Sequence, residues 1–172
     1  MVINDSYCKY KRKIYNCSEE GGKTILRSHD YSDCIINGFK IIPGYKENPA
    51  VGGYKHIKRV PTSRIDWFCY VFTVGYYKGC EVSIRWEKNG KYRIDISNVS
   101  DPNSKEYKVF TTENGFRMYD RYDWCGDVPK SEVQGIEQRV GPARPDLKTP
   151  DKWNFQIPGD DNEFPRRVVQ YE

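Results

Sequence analysis

Arg27 and His56 are the side chains whose chemistry and setting first suggest a site. Arg27 follows the run Lys23-Thr24-Ile25-Leu26, which comes after Gly21-Gly22 and is built of strand-forming residues. A guanidinium held at a strand end presents a planar fork of donors suited to a phosphate or carboxylate. The plainer alternative is that Arg27 pairs with a nearby aspartate. His56, one of 2 histidines in the chain, lies in Tyr54-Lys55-His56-Ile57-Lys58-Arg59. It can serve as acid, base or donor near neutral pH, or stand as a surface residue among lysines.

A second cluster is basic and aromatic: Lys9, Lys11, Arg12 and Lys13 interleave with Tyr10 and Tyr15. Such a stripe can bind nucleic acid or acidic lipid, or form a solvated strand face. The 6 cysteines, Cys8, Cys17, Cys34, Cys69, Cys80 and Cys125, include no CxxC, and the histidines complete no zinc pattern, so no metal is expected. Their even number and wide spread fit disulfides formed in an oxidising compartment, hence a secreted protein, with the pairing left open. The alternative is a set of buried free thiols. Residues 1–7 lack the apolar core of a signal peptide, so a secreted form would be mature with an added Met1. No apolar run approaches the length of a membrane span.

The elements that must position these groups are mostly strands. The 172 residues suffice for one domain with a real core, and 14 tyrosines among 15% aromatics favour aromatic sheet faces. Net charge is +4, which permits an acidic partner without demanding nucleic acid. Residues 30–36 fit two helical turns, capped by Asp30 or Ser32 and stopped at Asn37-Gly38. Residues 41–53 read as a loop. The most apolar run, IDWFCYVFTV at 65–74, predicts a buried strand. Residues 80–87 alternate, and Asn89-Gly90 then turns the chain into the alternating Tyr92, Ile94 and Ile96, a hairpin. Further strands are expected at 107–112, 115–119, 153–157 and 164–171, a turn at 125–130, and a strand or short helix at 131–140. The fold class is α+β and mostly β: antiparallel sheets with a few short helices, disulfide-linked. No internal domain boundary is visible, so residues 1–172 read as one domain with a core over about 15–157.

Four segments in order resemble the catalytic core of mono-ADP-ribosyltransferase toxins of the cholera, pertussis and heat-labile enterotoxin group. Thr24-Ile25-Leu26-Arg27-Ser28 with Asn37-Gly38-Phe39 resembles the opening strand, arginine and helix. Tyr54-Lys55-His56 is similar to the family's histidine segment. Tyr70-Val71-Phe72-Thr73-Val74 takes the place of its Ser-Thr-Ser strand, with Phe72 and Val74 where the serines stand. Ser131-Glu132-Val133 is similar to the catalytic glutamate's surroundings, with Lys130 where a Glu or Gln is usual. The resemblance implies a secreted toxin or virulence effector that uses NAD as co-substrate to modify a host protein, outside or inside a host cell. Arg27 would hold the phosphates, His56 a ribose hydroxyl, Thr73 would brace the site, and Glu132 would stabilise the oxocarbenium-like charge that develops on the ribose.

A weaker resemblance is to small secreted fungal RNase-like effectors. It rests on Tyr15-Asn16-Cys17, Gly53-Tyr54-Lys55-His56 and Tyr70-Val71-Phe72, and implies an RNA or host-protein binder. Val71 stands where a catalytic carboxylate would be, so cleavage would have to pair His29 with His56. A third reading is a β-rich binding module with tyrosine contacts.

Overall fold

The computed structural model describes residues 2–42, 55–158 and 160–170. It is mostly antiparallel sheet with two short α-helices among the described residues. The chain divides into two compact units. The first comprises Asp5–Tyr70 and residues 141–158; the second comprises residues 2–4, Val71–Val140 and Asp160–Gln170. The division falls inside a continuous strand, which is why no composition shift marks it.

In the first unit, β1 (Asp5–Tyr10), β2 (Lys13–Glu20) and β3 (Lys23–Ser28) form a meander. It continues through α1 (Ser32–Asn37), β4 (Lys40–Ile41) and β5 (His56–Pro61). The antiparallel order is β4-β5-β3-β2-β1. Both meander turns use two residues of positive φ, Lys11-Arg12 at 49° and 69° and Gly21-Gly22 at 56° and 75°. This geometry matches the right-handed twist of the flanking strands. One sheet face supplies Cys8, Tyr10, Tyr15, Cys17 and Leu26 to a core completed by Phe39, Val60, Ile65 and Phe68. The helix starts at Tyr31 with no side-chain cap, but the Asp30 carboxylate accepts the Ser32 N–H at 2.9 Å. It stops at Gly38, whose φ of 67° lets its N–H reach the Asp33 carbonyl. The loop expected at 41–53 lies outside the described residues from position 43 onward.

β6 (Trp67–Tyr77) opens in the first unit and ends in the second. The second unit adds β7 (Cys80–Lys88), β8 (Lys91–Ile96), α2 (Lys105–Val109), β9 (Arg117–Asp120), β10 (Asp123–Pro129), β11 (Val133–Gly141) and β12 (Arg166–Val168). Its order is β6-β7-β8-β10-β9, with β11 on β6 and β12 parallel to β11. The predicted hairpin is present: Asn89 and Gly90 both have positive φ between β7 and β8. Tyr77, Phe110 and Phe116 pack ring to ring at 4.7–6.1 Å inside the core.

Several expectations differ from what forms. Residues 105–109 are helical rather than extended, because Ser104 caps the Tyr107 N–H at 3.0 Å and Asn114 closes the other end on the Val109 carbonyl at 2.9 Å. Residues 123–129 are a strand rather than a turn; Gly126 is there because the Phe116 ring lies where its Cβ would be, 2.5 Å away. Residues 153–157 pair with no strand. The cysteines are not bridged: all six are thiols, Cys34 half-buried and the rest buried. Cys8 pairs with Tyr15 and is only a diagonal neighbour of Cys17. A diagonal pair stands farther apart than directly opposed residues, whose β-carbon separation suits a disulfide. A hydrogen bond with Cys17, together with burial, pushes the Cys8 thiol far above its ordinary range.

Candidate functional site

Strand register in the first unit sets out two faces. Tyr7, Asn16, Arg27, Ile57 and Lys40 form one row across all five strands. Cys8, Tyr15, Ser28 and His56 belong to the alternate positions and point to the core side. Arg27 and His56 therefore project from opposite faces of the sheet. Register alone separates them, and no one cleft of this unit is lined by both.

Arg27 is half-buried and held by neutral acceptors. Its Nη1 donates to Asn16 Oδ1 at 3.1 Å and its Nη2 to Ser18 Oγ at 2.7 Å. It makes no ion pair with any described residue. Asp5, two residues from Tyr7 on the same face, feels the guanidinium's charge. Burial nevertheless pushes its carboxyl up, outweighing the Ser6 N–H, Asn16 and Arg27. Asn16 Nδ2 is buried and makes no well-formed hydrogen bond in the structure. The result is a positive fork fixed by neutral acceptors.

The next row on this face is Lys9 opposite Ile14, roughly 7 Å along the strands. It opens into a groove of about 570 Å³ lined by Lys9, Arg12, Lys148 and Lys152, with Trp67 and Phe155 as its aromatic wall. Two carboxylates, Asp66 and Asp151, also line it, so cations exceed acids by two. The Asp66 N–H bonds the Lys9 carbonyl at 2.9 Å and the Phe68 N–H bonds the Lys148 carbonyl at 2.7 Å, which ties residues 148–155 to the sheet. Trp67 and Phe155 lie 4.6 Å apart at 35°, and Trp153 follows at 6.4 Å from Phe155.

On the core side, His56 is buried, 5.9 Å from the Tyr31 ring, and its Nδ1 has no hydrogen-bond partner in the structure. Its neighbour across the ladder, Ser28, donates to Asp33 at 2.5 Å. Asp33 also accepts from Lys13 (2.8 Å), Tyr15 (2.9 Å) and Asn37 (2.8 Å). Burial alone would raise the Asp33 carboxyl, but these four donors hold it below the ordinary range. The network leaves Asp33 no free lone pair with which to orient His56.

The remaining candidates lie in the second unit. Thr73 is fully buried, and its hydroxyl exchanges two 2.9 Å hydrogen bonds with the backbone of Ile3. Glu132 is exposed in the 3-10 turn Lys130–Glu132, just before β11. Among the described residues, no cluster of three or more His, Cys, Asp or Glu could hold a metal. No helix of the described residues is long and apolar enough to cross a membrane.

The family model described as "Uncharacterised conserved protein UCP033725" matches residues 2–143. The chain belongs to this family. No curated protein and no solved structure matches it. The match to the UCP033725 family includes Arg27, Asn16, Ser18, Lys9, Arg12 and Trp67, and ends before Lys148, Lys152 and Phe155. Sequence reasoning missed this second half of the groove. Its signal was available: Lys148-Thr149-Pro150-Asp151-Lys152-Trp153-Asn154-Phe155 interleaves cations and aromatics as residues 9–15 do.

Proposed function

We propose that the protein binds single-stranded nucleic acid through the Arg27 face of its first unit. The observation that carries this reading is the groove, where a Trp67–Phe155 pair sits among four cations on the sheet face that also presents Arg27, which lies two strands from Lys9 and makes no ion pair with a described residue. Lysines and arginines match the phosphates, and the aromatic wall offers a surface on which a base can stack without regard to its identity. Arg27, held in orientation by Asn16 and Ser18, receives a phosphate bidentately. This is the RNA-binding side of the RNase-like resemblance, carried by a different set of residues.

Fluorescence anisotropy with a labelled oligouridine tests it. Phe155→Ala should weaken binding about tenfold, within the usual range for one base–aromatic stack. Removing Lys9 or Lys152 should lower the slope of log K against log salt by about 0.7 each. Binding that is absent, or unchanged in Phe155→Ala, removes the proposal.

ADP-ribosyl transfer from NAD is a second reading, favoured by one observation: Arg27 pairs with no carboxylate among the described residues, which leaves its charge for a phosphate. Thr73 has its hydroxyl engaged by Ile3, so the chemistry would fall to Glu132. Self-labelling with NAD, abolished by Glu132→Ala and Arg27→Ala, would sustain it, with a host protein as the acceptor. A wild-type chain that takes up no label alone or with cell extract ends it.

A further inference from the structure

Strand register carries the Arg27 face on toward the edge of the sheet. Arg27 of β3 stands directly opposite Ile57 of β5, and Ile57 directly opposite Lys40 of β4. Arg59, two residues along β5, keeps the same side of the sheet and stands opposite Ile25. It is thus a diagonal neighbour of both Arg27 and Lys40, roughly 7–8 Å from each. Three cations surround Ile57 on one face, over a floor formed by the half-buried Ile25 and Ile57. Lys40 and Arg59 are exposed, and neither pairs with a described carboxylate. Lys58 takes the other face, where its Nζ donates to the Asn37 carbonyl and lies 5.7 Å over the Tyr10 ring. α1 packs on that other face as well, through Asp33 to Tyr15 and Ser28, and leaves this one open. The acids of the Arg27 face stand away from the three cations: Glu20 is opposite Lys23, and Asp5 is on β1, three strands from Arg59.

We propose that Arg59 and Lys40 continue the nucleic-acid surface, holding with Arg27 successive phosphates of the same single strand whose base stacks in the Trp67–Phe155 groove. The inference rests on that reading and adds to it two phosphate-holding residues and a minimum ligand length. Ile25 and Ile57 give sugars and base edges an apolar floor between the charges. Lys9 on β1 and Lys40 on β4 are four strand spacings apart, about 19 Å. A stacked strand advances about 3.4 Å per nucleotide. A trinucleotide therefore fills the groove alone, whereas an octanucleotide reaches both patches. Once the groove holds one end, the second patch meets the strand at high effective concentration, so each added phosphate contact raises the overall affinity.

Anisotropy with labelled oligouridines of three and eight nucleotides tests this. Wild type should bind the octamer at least about tenfold more tightly than the trimer. Lys40→Gln and Arg59→Gln should each weaken octamer binding about fivefold and lower its salt slope by about 0.7, and should leave the trimer unchanged. Lys58→Gln removes the same charge from the same strand on the opposite face, and should alter neither. Circular dichroism checks that the variants are folded; should Lys40→Gln disturb the short β4, Arg59→Gln decides. A trimer bound as tightly as the octamer, Lys40→Gln and Arg59→Gln with the wild-type slope, or an equal loss in Lys58→Gln overturns this inference and leaves the groove standing. Wild type that binds neither oligonucleotide overturns the groove and this inference together.

Discussion

Arg27 in the first unit and Arg93 in the second both sit on antiparallel sheets with their guanidinium groups fixed by neighbours, yet they end in opposite electrostatic states. Arg93 closes bidentately on Asp127 at 2.6 Å and 2.6 Å, donates to Cys125 Sγ at 3.7 Å and lies 5.2 Å over the Trp86 ring. Arg139 does likewise with Glu81 at 2.7 Å and 2.6 Å, and Arg85 with Asp95 at 2.5 Å. Among the described residues Arg27 bonds the amide oxygen of Asn16 and the hydroxyl of Ser18. A carboxylate both orients and neutralises a guanidinium, whereas a neutral acceptor orients it and leaves the charge to act on something else. The second unit uses arginines to tie strands together. The first keeps one aimed by neutral acceptors, with no ion pair to a described residue.

The contrast can be broken from either side. Arg93→Ala should have the largest effect, about 2 kcal/mol of stability from the charge-assisted bonds and the stack on Trp86, with oligouridine binding unchanged. Urea denaturation and anisotropy on the same preparation check both halves. Arg27→Ala should do the reverse: roughly tenfold weaker oligouridine binding and a salt slope lower by about 0.7, with a change in stability below about 1 kcal/mol. Ser18→Asp sharpens the comparison by giving Arg27 the partner that Arg93 has. Binding should fall about fivefold while the urea midpoint holds or rises, since one exposed ion pair is worth at most about 1 kcal/mol. If Ser18→Asp binds as wild type, the charge of Arg27 is not what recognises the ligand.

Acid should separate the two carboxylates with the smallest effect. Arg93 holds the Asp127 carboxyl below its ordinary range. Its contribution is therefore complete above about pH 4 and is lost as the pH falls through its folded value. Asp5, raised by burial, has the opposite sign: it weighs against the fold as pH rises through the ordinary range and is relieved on protonation. Asp5→Asn should therefore raise the melting temperature at pH 7 and leave it unchanged near pH 3, whereas Asp127→Asn should lower it at pH 7. Calorimetric scans at the two pH values read both.

Local chemistry was legible in the sequence, and partnership across strands was not. Asn89-Gly90 and Gly38 announced a hairpin and a helix stop because positive φ is a property of single residues. Arg27 could be read as an anion-holding residue, but its acceptors come from register, nine and eleven positions away in the chain. The same register turns His56 to the other face, which no local pattern declares. At 153–157 the alternation was real, with Trp153 and Phe155 half-buried and Ile157 fully buried, but it records packing on Trp67 rather than a ladder. The cysteine count suggested covalent bridges, whereas the structure holds six thiols, with Cys8 and Cys17 on a diagonal rather than directly opposed.

The Lys11-Arg12 turn has one more consequence. It adopts the same left-handed backbone as Gly21-Gly22, but with two long side chains that disfavour it by about 1 kcal/mol each. A sequence optimised for folding alone would place Asn-Gly there, as this chain does at residues 89–90. Grafting Asn-Gly onto positions 11 and 12 should firm the meander while stripping a charge from the groove's rim. At that corner, ease of turning is set against the charge that Arg12 adds to the groove.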